Sequence, residues 1–350
     1  MMDRPIIRQF LTRAVPALLV LAASVSGFCL WVWHDYTSPG PLAAAKTVIL
    51  PRGARFLGIA DALRENDVIA HPWLFALGSI VTGRTAYFKA GEYEFPAAIS
   101  PSAAADLLTS GRTVQHRLTV PEGLTSAAIV AIVNAAPALD GGIDTQPPDG
   151  SLLPETYFYS WGDRRAAIVE RMQNAFAKAL AELWAGRDPD LPLASAEQAV
   201  VLASIVEKET GREDERPHVA AVYENRLRLG MKLQADPTVA YALNKGGGAL
   251  DHILDHDDLS ADSPYNTYLV KGLPPAPIAN PGLAALKATL HPVQTEDLYF
   301  VADGAGGHIF AKTLAEQDEH IAAYRRLKSG EDKLPQATLP RAAASTPLSP

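Results

Sequence analysis

The 350-residue chain holds a single cysteine, Cys29, so no internal disulfide can staple it, and cysteine usage is silent about redox compartment. Nor does Cys29 suit lipid attachment, because the bulky Phe28 stands where a small residue is needed. Basic clusters are missing as well. Beyond the first fifteen residues no stretch concentrates Lys and Arg, and the formal net charge is -8. Nucleic-acid binders neutralise phosphates with a basic stripe, so the charge argues against nucleic acid as a partner. No segment repeats and no residue type dominates. What remains is the composition of a globular protein, long enough for roughly two folded domains beyond any anchor.

One long apolar run is present. Residues 14–33 are 20 positions without a charge, among them Leu18, Leu19, Val20, Leu21, Phe28 and Leu30. At 1.5 Å per residue such a helix spans the roughly 30 Å hydrocarbon core of a bilayer. Arg4, Arg8 and Arg13 precede the run, and Asp35 is the first charge after it. Positive charge stays cytoplasmic, which predicts a single membrane pass with residues 1–13 inside and the rest beyond the inner face. Trp31 and Trp33 suit an interfacial aromatic belt. A cleaved signal peptide is the competing reading, with Ala43-Ala44-Ala45 as its site. That site lies about ten residues past a run already longer than a signal h-region, so an uncleaved anchor is expected.

Residues 34–45 read as a Pro/Gly/Ala linker. Short strands are then expected at 46–50, 90–95 and 114–120, with helices at 56–64, 72–81 and 101–108 between them. Ser100 is the N-cap and Pro101 the first turn of the last of these helices. Residues 46–120 thus form one small unit. From 121 to 330 longer helices are expected at 165–183, 195–210, 216–229, 237–243, 281–290 and 314–328, with a hairpin of 298–301 and 308–311. The fold class is α+β. Residues 331–350, rich in Pro, Ala and Ser, have little to bury and read as a disordered tail.

Ser195-Ala196-Glu197-Gln198 is a capping box, Ser at N-cap and Gln at N3. In the helix that follows, Leu202, Ile205 and Val206 define an apolar stripe, and Glu209 falls at i+7, i+4 and i+3 from them. Glu207 projects about 160° away and is expected to face water. A carboxyl aimed inward has its neutral form favoured and its pKa raised, the condition for a general acid near neutral pH. Periodicity alone leaves two readings open. Glu209 could be that acid, or it could pair with Arg226 on the inward stripe of the next helix.

Downstream, Leu233-Gln234-Ala235-Asp236-Pro237-Thr238 and Ser263-Pro264-Tyr265-Asn266-Thr267-Tyr268 are dense in amides, hydroxyls and rings. Sugar sites use such groups to bond hydroxyls and to stack on sugar faces. Asp236 before Pro237 and Asn280 before Pro281 also have the form of N-caps. His252 and His256 would share a helix face and could chelate a metal. No third ligand is fixed by spacing, so a solvated acidic turn is expected and neither metal nor cofactor is predicted.

Seven blocks of this sequence, in order, resemble the YceG/MltG-like endolytic murein transglycosylases. They are PEGLT (121–125), LLPETY (152–157), LASIVEKET (202–210), ENRL (224–227), LQADPTVAYAL (233–243), SPYNTYLVKGLPPAPIANPG (263–282) and LYFVADGAGGHIFAKTLAEQDEH (298–320). The resemblance implies an inner-membrane helix, a LysM-like subdomain at 46–120 and a catalytic domain at 121–330. It implies Glu209 as the catalytic acid/base, with Gln234, Asp236, Thr238, Tyr265, Asn266 and Thr267 in the substrate pocket. The implied reaction is lytic. It cuts between N-acetylmuramic acid and N-acetylglucosamine in nascent peptidoglycan strands, leaves 1,6-anhydro ends near the membrane, and brings peptidoglycan synthases as partners. Two departures are Ala276 where the family carries glycine, and Glu155 where it carries aspartate. The alternatives are a muramidase-type hydrolase, which needs a second carboxylate 5–9.5 Å away, with Asp236 and Glu155 as candidates, and a non-catalytic peptidoglycan-binding scaffold.

Overall fold

In a computed structural model, residues 4–244, 250, 252 and 254–329 are described. The expected tail at 331–350 lies outside them. The chain is a mixture of helices and short strands that separates into two units. One comprises Met1–Leu118, Ala136–Gly141 and Tyr157–Arg164; the other comprises Thr119–Ala135, Gly142–Thr156 and Arg165–Pro350.

The first unit opens with α1 (Arg4–Thr37), in which Val15–Thr37 is long and apolar enough to cross a membrane and is exposed along most of its length, though Tyr36 near its end is buried. Strand β1 (Lys46–Leu50) follows, then α2 (Phe56–Glu65), α3 (Pro72–Val81) and β2 (Gly91–Phe95). The strands pair antiparallel, Val48 opposite Tyr93 and Leu50 opposite Gly91. Their period-2 alternation turns Val48, Leu50, Tyr93 and Phe95 onto the helices, where Ile59, Leu63 and Phe75 complete one core. Next, α4 (Pro101–Ser110) begins at Ser100, whose Oγ accepts from the Ala103 N–H at 3.2 Å. It stops at Gly111, whose φ of 69° no β-substituted residue adopts cheaply. Strand β3 (His116–Thr119) leads out.

Helix α5 (Ser126–Ala135) was not expected from the sequence. Its residues SAAIVAIVNA are apolar on nearly every side, which hides the 3.6-residue rhythm. The short strands β4 (Leu139–Asp140), β5 (Thr156–Tyr159) and β6 (Asp163–Arg164) come next. Strand β3 pairs with β5, and β4 runs parallel to β6.

The second unit is built around α7 (Ala196–Glu209), which packs against α6 (Arg165–Ala185), α8 (Arg216–Arg228), α9 (Asp236–Asn244) and α10 (Leu283–Leu290). Its capping box forms: Ser195 Oγ accepts from the Gln198 N–H at 3.4 Å, and Gln198 Oε1 accepts from the Ala194 N–H at 2.8 Å. Every residue from Ala199 to Val206 is buried, so α7 is a central helix rather than a surface helix with one wet face. A hairpin of β7 (Tyr299–Ala302) and β8 (His308–Ala311) precedes α11 (Leu314–Ser329), and Asp303 closes its turn by accepting from the Ala305 and Gly307 N–H groups at 2.7 and 2.8 Å.

Two sequence expectations are corrected here. Asn280 does not cap a helix at Pro281; α10 starts at Leu283 after Gly282. Instead the buried Asn280 amide accepts from the Ser151 and Leu152 N–H groups at 3.1 and 2.9 Å and donates to the Leu124 carbonyl and Ser126 hydroxyl, both at 3.0 Å. Glu207 does not face water either. Because α8 and α10 cover that side of α7, its carboxylate is buried, pairs with Arg216 at 3.1 Å and accepts from the Gly282 N–H at 2.9 Å.

Candidate active site

Glu209 is the last residue of α7 and sits half-buried where two cavities meet. The larger, about 540 Å³, is lined by Gly123, Thr125, Lys208, Asp236 and Tyr241 among others. The smaller, about 160 Å³, is lined by Tyr223, Arg226, Gln234, Asp236 and Tyr268. Among the described residues, only Glu209 and Asp236 border both.

Burial pushes the Glu209 carboxyl up from its ordinary value to about 7. Asp236 pushes the same way by charge repulsion, while the Tyr223 hydroxyl and the Arg226 charge pull down. Its place in the last turn adds the unfavourable negative end of the α7 dipole. A carboxyl so poised is half protonated near neutrality, and can both give and take a proton.

Tyr223, on α8, donates its hydroxyl hydrogen to Glu209 Oε1. The phenol is buried and its own pKa is raised well above normal, so it remains a donor. The ion pair with Arg226 that the sequence left open does not form. The Arg226 guanidinium donates to the Leu298 and Leu233 carbonyls, both at 2.6 Å, and its charge reaches Glu209 only through space. Buried Arg226 therefore fastens the residue that leads into β7 and the start of the 233–236 turn beside the acid.

That turn is strained. Gln234 has φ of 51°, a left-handed conformation that costs a non-glycine residue on the order of 1 kcal/mol. Thr267 holds it: the Gln234 N–H donates to the Thr267 carbonyl at 3.1 Å, and the Ala235 N–H to Thr267 Oγ1 at 2.9 Å. Thr238 Oγ1 lies 2.9 Å from Thr267 Oγ1 and donates to the Ala235 carbonyl at 2.6 Å. Both threonines are fully buried. Asn266, also buried, donates to the Leu259 and Ala261 carbonyls at 3.0 and 2.8 Å.

The residues singled out by sequence therefore divide. Glu209, Gln234 and Asp236 line cavities, and Gln234 and Asp236 are exposed. Asp236 is itself the first residue of α9, and its Oδ1 accepts from the Tyr268 hydroxyl at 2.6 Å. The Tyr265 ring lies beside that of Tyr241, tilted by 48° with centroids 4.9 Å apart. Thr238, Asn266 and Thr267 turn their polar atoms to protein rather than to the cavity and shape the wall. His252 bonds Asp258 at 2.9 Å, and residues 251 and 253 beside it lie outside the described positions.

Sequence reasoning gave no site role to Tyr223, Tyr241, Asp149 or Lys208, and named Tyr268 only within a segment rich in rings. Tyr241 donates to Asp149 Oδ2 at 2.7 Å on the wall of the larger cavity. Lys208 donates to the Gly123 carbonyl at 3.3 Å, and Gly123, at φ of 73°, carries no side chain into that corner. Tyr223 had a signal: a tyrosine in an inward stripe needs a partner for its hydroxyl.

The chain is similar in sequence to known proteins over most of its length. Residues 48–323, well over half of the chain, match the YceG-like family. A Bacillus subtilis protein named endolytic murein transglycosylase is 31% identical over 79% of this chain and 83% of its own length. A Streptococcus pneumoniae protein of the same name is 26% identical over 79% of this chain, but over only 58% of its own length. A crystal structure of a YceG-like protein from Listeria monocytogenes is 30% identical, covers 79% of this chain and 99% of that one, and superposes with a TM-score of 0.48. The chain belongs to the YceG-like family.

Proposed function

We propose that this chain is an endolytic murein transglycosylase, a lyase that cuts peptidoglycan glycan strands with Glu209 as its acid and base. The observation that carries the reading is a carboxyl raised to about 7 on the wall of a 540 Å³ cavity, in a chain 31% identical to a protein of that name. Protonated Glu209 gives its proton to the glycosidic oxygen as the bond from C1 of N-acetylmuramic acid breaks. The resulting carboxylate takes the proton from the 6-hydroxyl of the same ring while that oxygen closes on C1. The product is a 1,6-anhydro end, and no water is consumed. Intramolecular attack supplies the effective concentration that a hydrolase obtains from a second carboxylate. Tyr223 and Asp236 bracket the acid, one bonding its ionised form and the other opposing it.

The substrate runs past Gln234 and Asp236, with the Tyr241 and Tyr265 rings as stacking surfaces. Thr238, Asn266 and Thr267 act by holding the wall. Residues 121–330 carry the reaction. Residues 46–120 form a LysM-like subdomain, a reading supported by the strand–helix–helix–strand order of β1, α2, α3 and β2. The apolar stretch of α1 is compatible with a single-pass anchor, and the charge asymmetry around it supports a periplasmic site on the inner membrane, close to peptidoglycan synthases and to strands as they emerge. Early cleavage there would terminate strand growth.

Asp236 borders the same two cavities, which keeps a muramidase-type hydrolysis as the second reading. Digesting purified glycan strands and weighing the new ends separates the two. Anhydro ends support the lyase, and reducing ends that retain a water support the hydrolase.

A further inference from the structure

The outward face of α3 carries no polar side chain. None of its ten residues is charged. Its exposed positions are Trp73, Leu77, Ile80 and Val81, at 49%, 38%, 59% and 73% exposure. Steps of four, three and one place them on one stripe of the helix. A helix on a water-facing surface normally turns polar residues outward, and a cluster of exposed apolar side chains marks a contact surface. Leu74, Phe75, Gly78 and Ser79 are already buried on the inner side, so the outer stripe is not left over from loose packing.

Helix α3 is also fastened to α1. The Trp31 and Trp73 rings lie 6.0 Å apart. The Tyr36 ring occupies the space where a β-carbon on residue 78 would sit, so Gly78 admits the close approach of the two helices. The Tyr36 hydroxyl accepts from Arg84 at 3.2 Å, just beyond the end of α3. A groove of about 460 Å³ between the helices is lined by Phe28, Trp33, Leu77 and Val81 and is almost wholly apolar.

Membrane thickness sets the depth of this pair. Counted from Val15, where the apolar span starts, about twenty residues at 1.5 Å cross the ~30 Å hydrocarbon core. The far boundary then falls near His34 and Asp35, the first groups after the run that resist burial in lipid. Residues 28–36, against which α3 packs, run from about 10 Å inside that boundary up to it.

We propose that α3 is an interfacial membrane helix. Its stripe of Trp73, Leu77, Ile80 and Val81 lies in the boundary between headgroups and acyl chains of the leaflet from which α1 emerges. The inference rests on reading α1 as a membrane anchor and adds a second point of attachment. The occupant of the stripe is lipid because the stripe continues the apolar surface of α1, itself inside the bilayer. Tryptophan at one end suits that depth, since its ring is apolar and its N–H stays near water.

The test uses the full chain in phospholipid vesicles, with Cys29→Ser so that one introduced cysteine carries a nitroxide. Labels go on Ile80→Cys and Val81→Cys, on Leu21→Cys as the control within α1, and on Glu94→Cys as the control facing water. Oxygen concentrates among acyl chains and a nickel chelate stays in water, so their collision rates report depth. Ile80 and Val81 should follow Leu21, with oxygen favoured over nickel several-fold relative to Glu94. Ile80 and Val81 matching Glu94 while Leu21 stays in lipid would overturn the proposal and spare the anchor. Shielding of both sites from both reagents would mean that protein covers the stripe, which also overturns it. Leu21 in water would overturn the anchor and the proposal together.

Discussion

Tyr223 reaches across from α8 to donate its hydroxyl hydrogen to Oε1 of Glu209 at the end of α7. The bond favours the ionised carboxylate, whereas burial, the larger influence, favours the neutral acid. The two groups together set the pH at which the candidate acid changes state.

Catalysis by protonated Glu209 should therefore decline as pH rises through about 7. In Tyr223→Phe the bond that lowers the Glu209 pKa is gone, so the alkaline limb of kcat/KM should move upward. A hydrogen bond to a charged group contributes about 1.5–3 kcal/mol, or roughly one to two pH units. Rates of strand cleavage across pH check this, and an unmoved limb would dissociate Tyr223 from the acid.

Asp236→Asn should shift the same limb in the opposite direction. The negative charge of Asp236 raises the Glu209 pKa, and asparagine removes it while retaining an oxygen to accept from Tyr268. The limb should fall to lower pH, and activity above pH 7 should drop further than activity at pH 5.

Stability carries a matching signature. A carboxyl with its folded pKa raised binds its proton more tightly in the native state, so stability is lost as pH climbs from the ordinary value of 4.5 through about 7. Glu209→Gln escapes that loss. At pH 8 it should be the more stable protein, by at most about 3 kcal/mol and less where cavity water reaches the carboxylate, while at pH 4 the two should match. Glu224, raised by burial to about 8, titrates in the same sense in both proteins and cancels from the difference. Chemical denaturation at the two pH values measures it.

Glu207→Gln should damage the fold rather than the chemistry. It leaves the buried Arg216 without its nearest carboxylate, with Glu122 at 3.5 Å as its remaining partner, at a cost below the roughly 3–5 kcal/mol of an unpaired buried charge. Asn280→Ala should also destabilise, by about 2–3 kcal/mol, because buried groups around Ser126 and Leu152 lose a common partner. Thermal unfolding of each variant, set beside its residual cleavage rate, checks both.

Local signals made much of this legible before any coordinates. Ser195 and Gln198 announced the start of α7, and a 100° step per residue put Glu209 among Leu202, Ile205 and Val206. Those rules concern one helix and its nearest turn. What covers the other side of the helix is decided by residues far along the chain, which is why Glu207 looked solvent-facing when Arg216 and Gly282 enclose it. Asn280 failed for the same reason: Asn-Pro reads as a cap locally, but its partners lie more than a hundred residues away. Within the pocket, polar residue types marked the right segments without separating Gln234 and Asp236, which border the cavity, from Thr238, Asn266 and Thr267, which brace it.

The most direct test of the central claim is the chemistry of the strand ends made by this protein and by Glu209→Gln. Purified glycan strands are digested with each, and the new ends are weighed by mass spectrometry. The account predicts ends one water lighter than reducing N-acetylmuramic acid from the wild-type protein, and no new ends from a folded Glu209→Gln. Reducing ends from the wild type, or cleavage by Glu209→Gln at the wild-type rate, would contradict it.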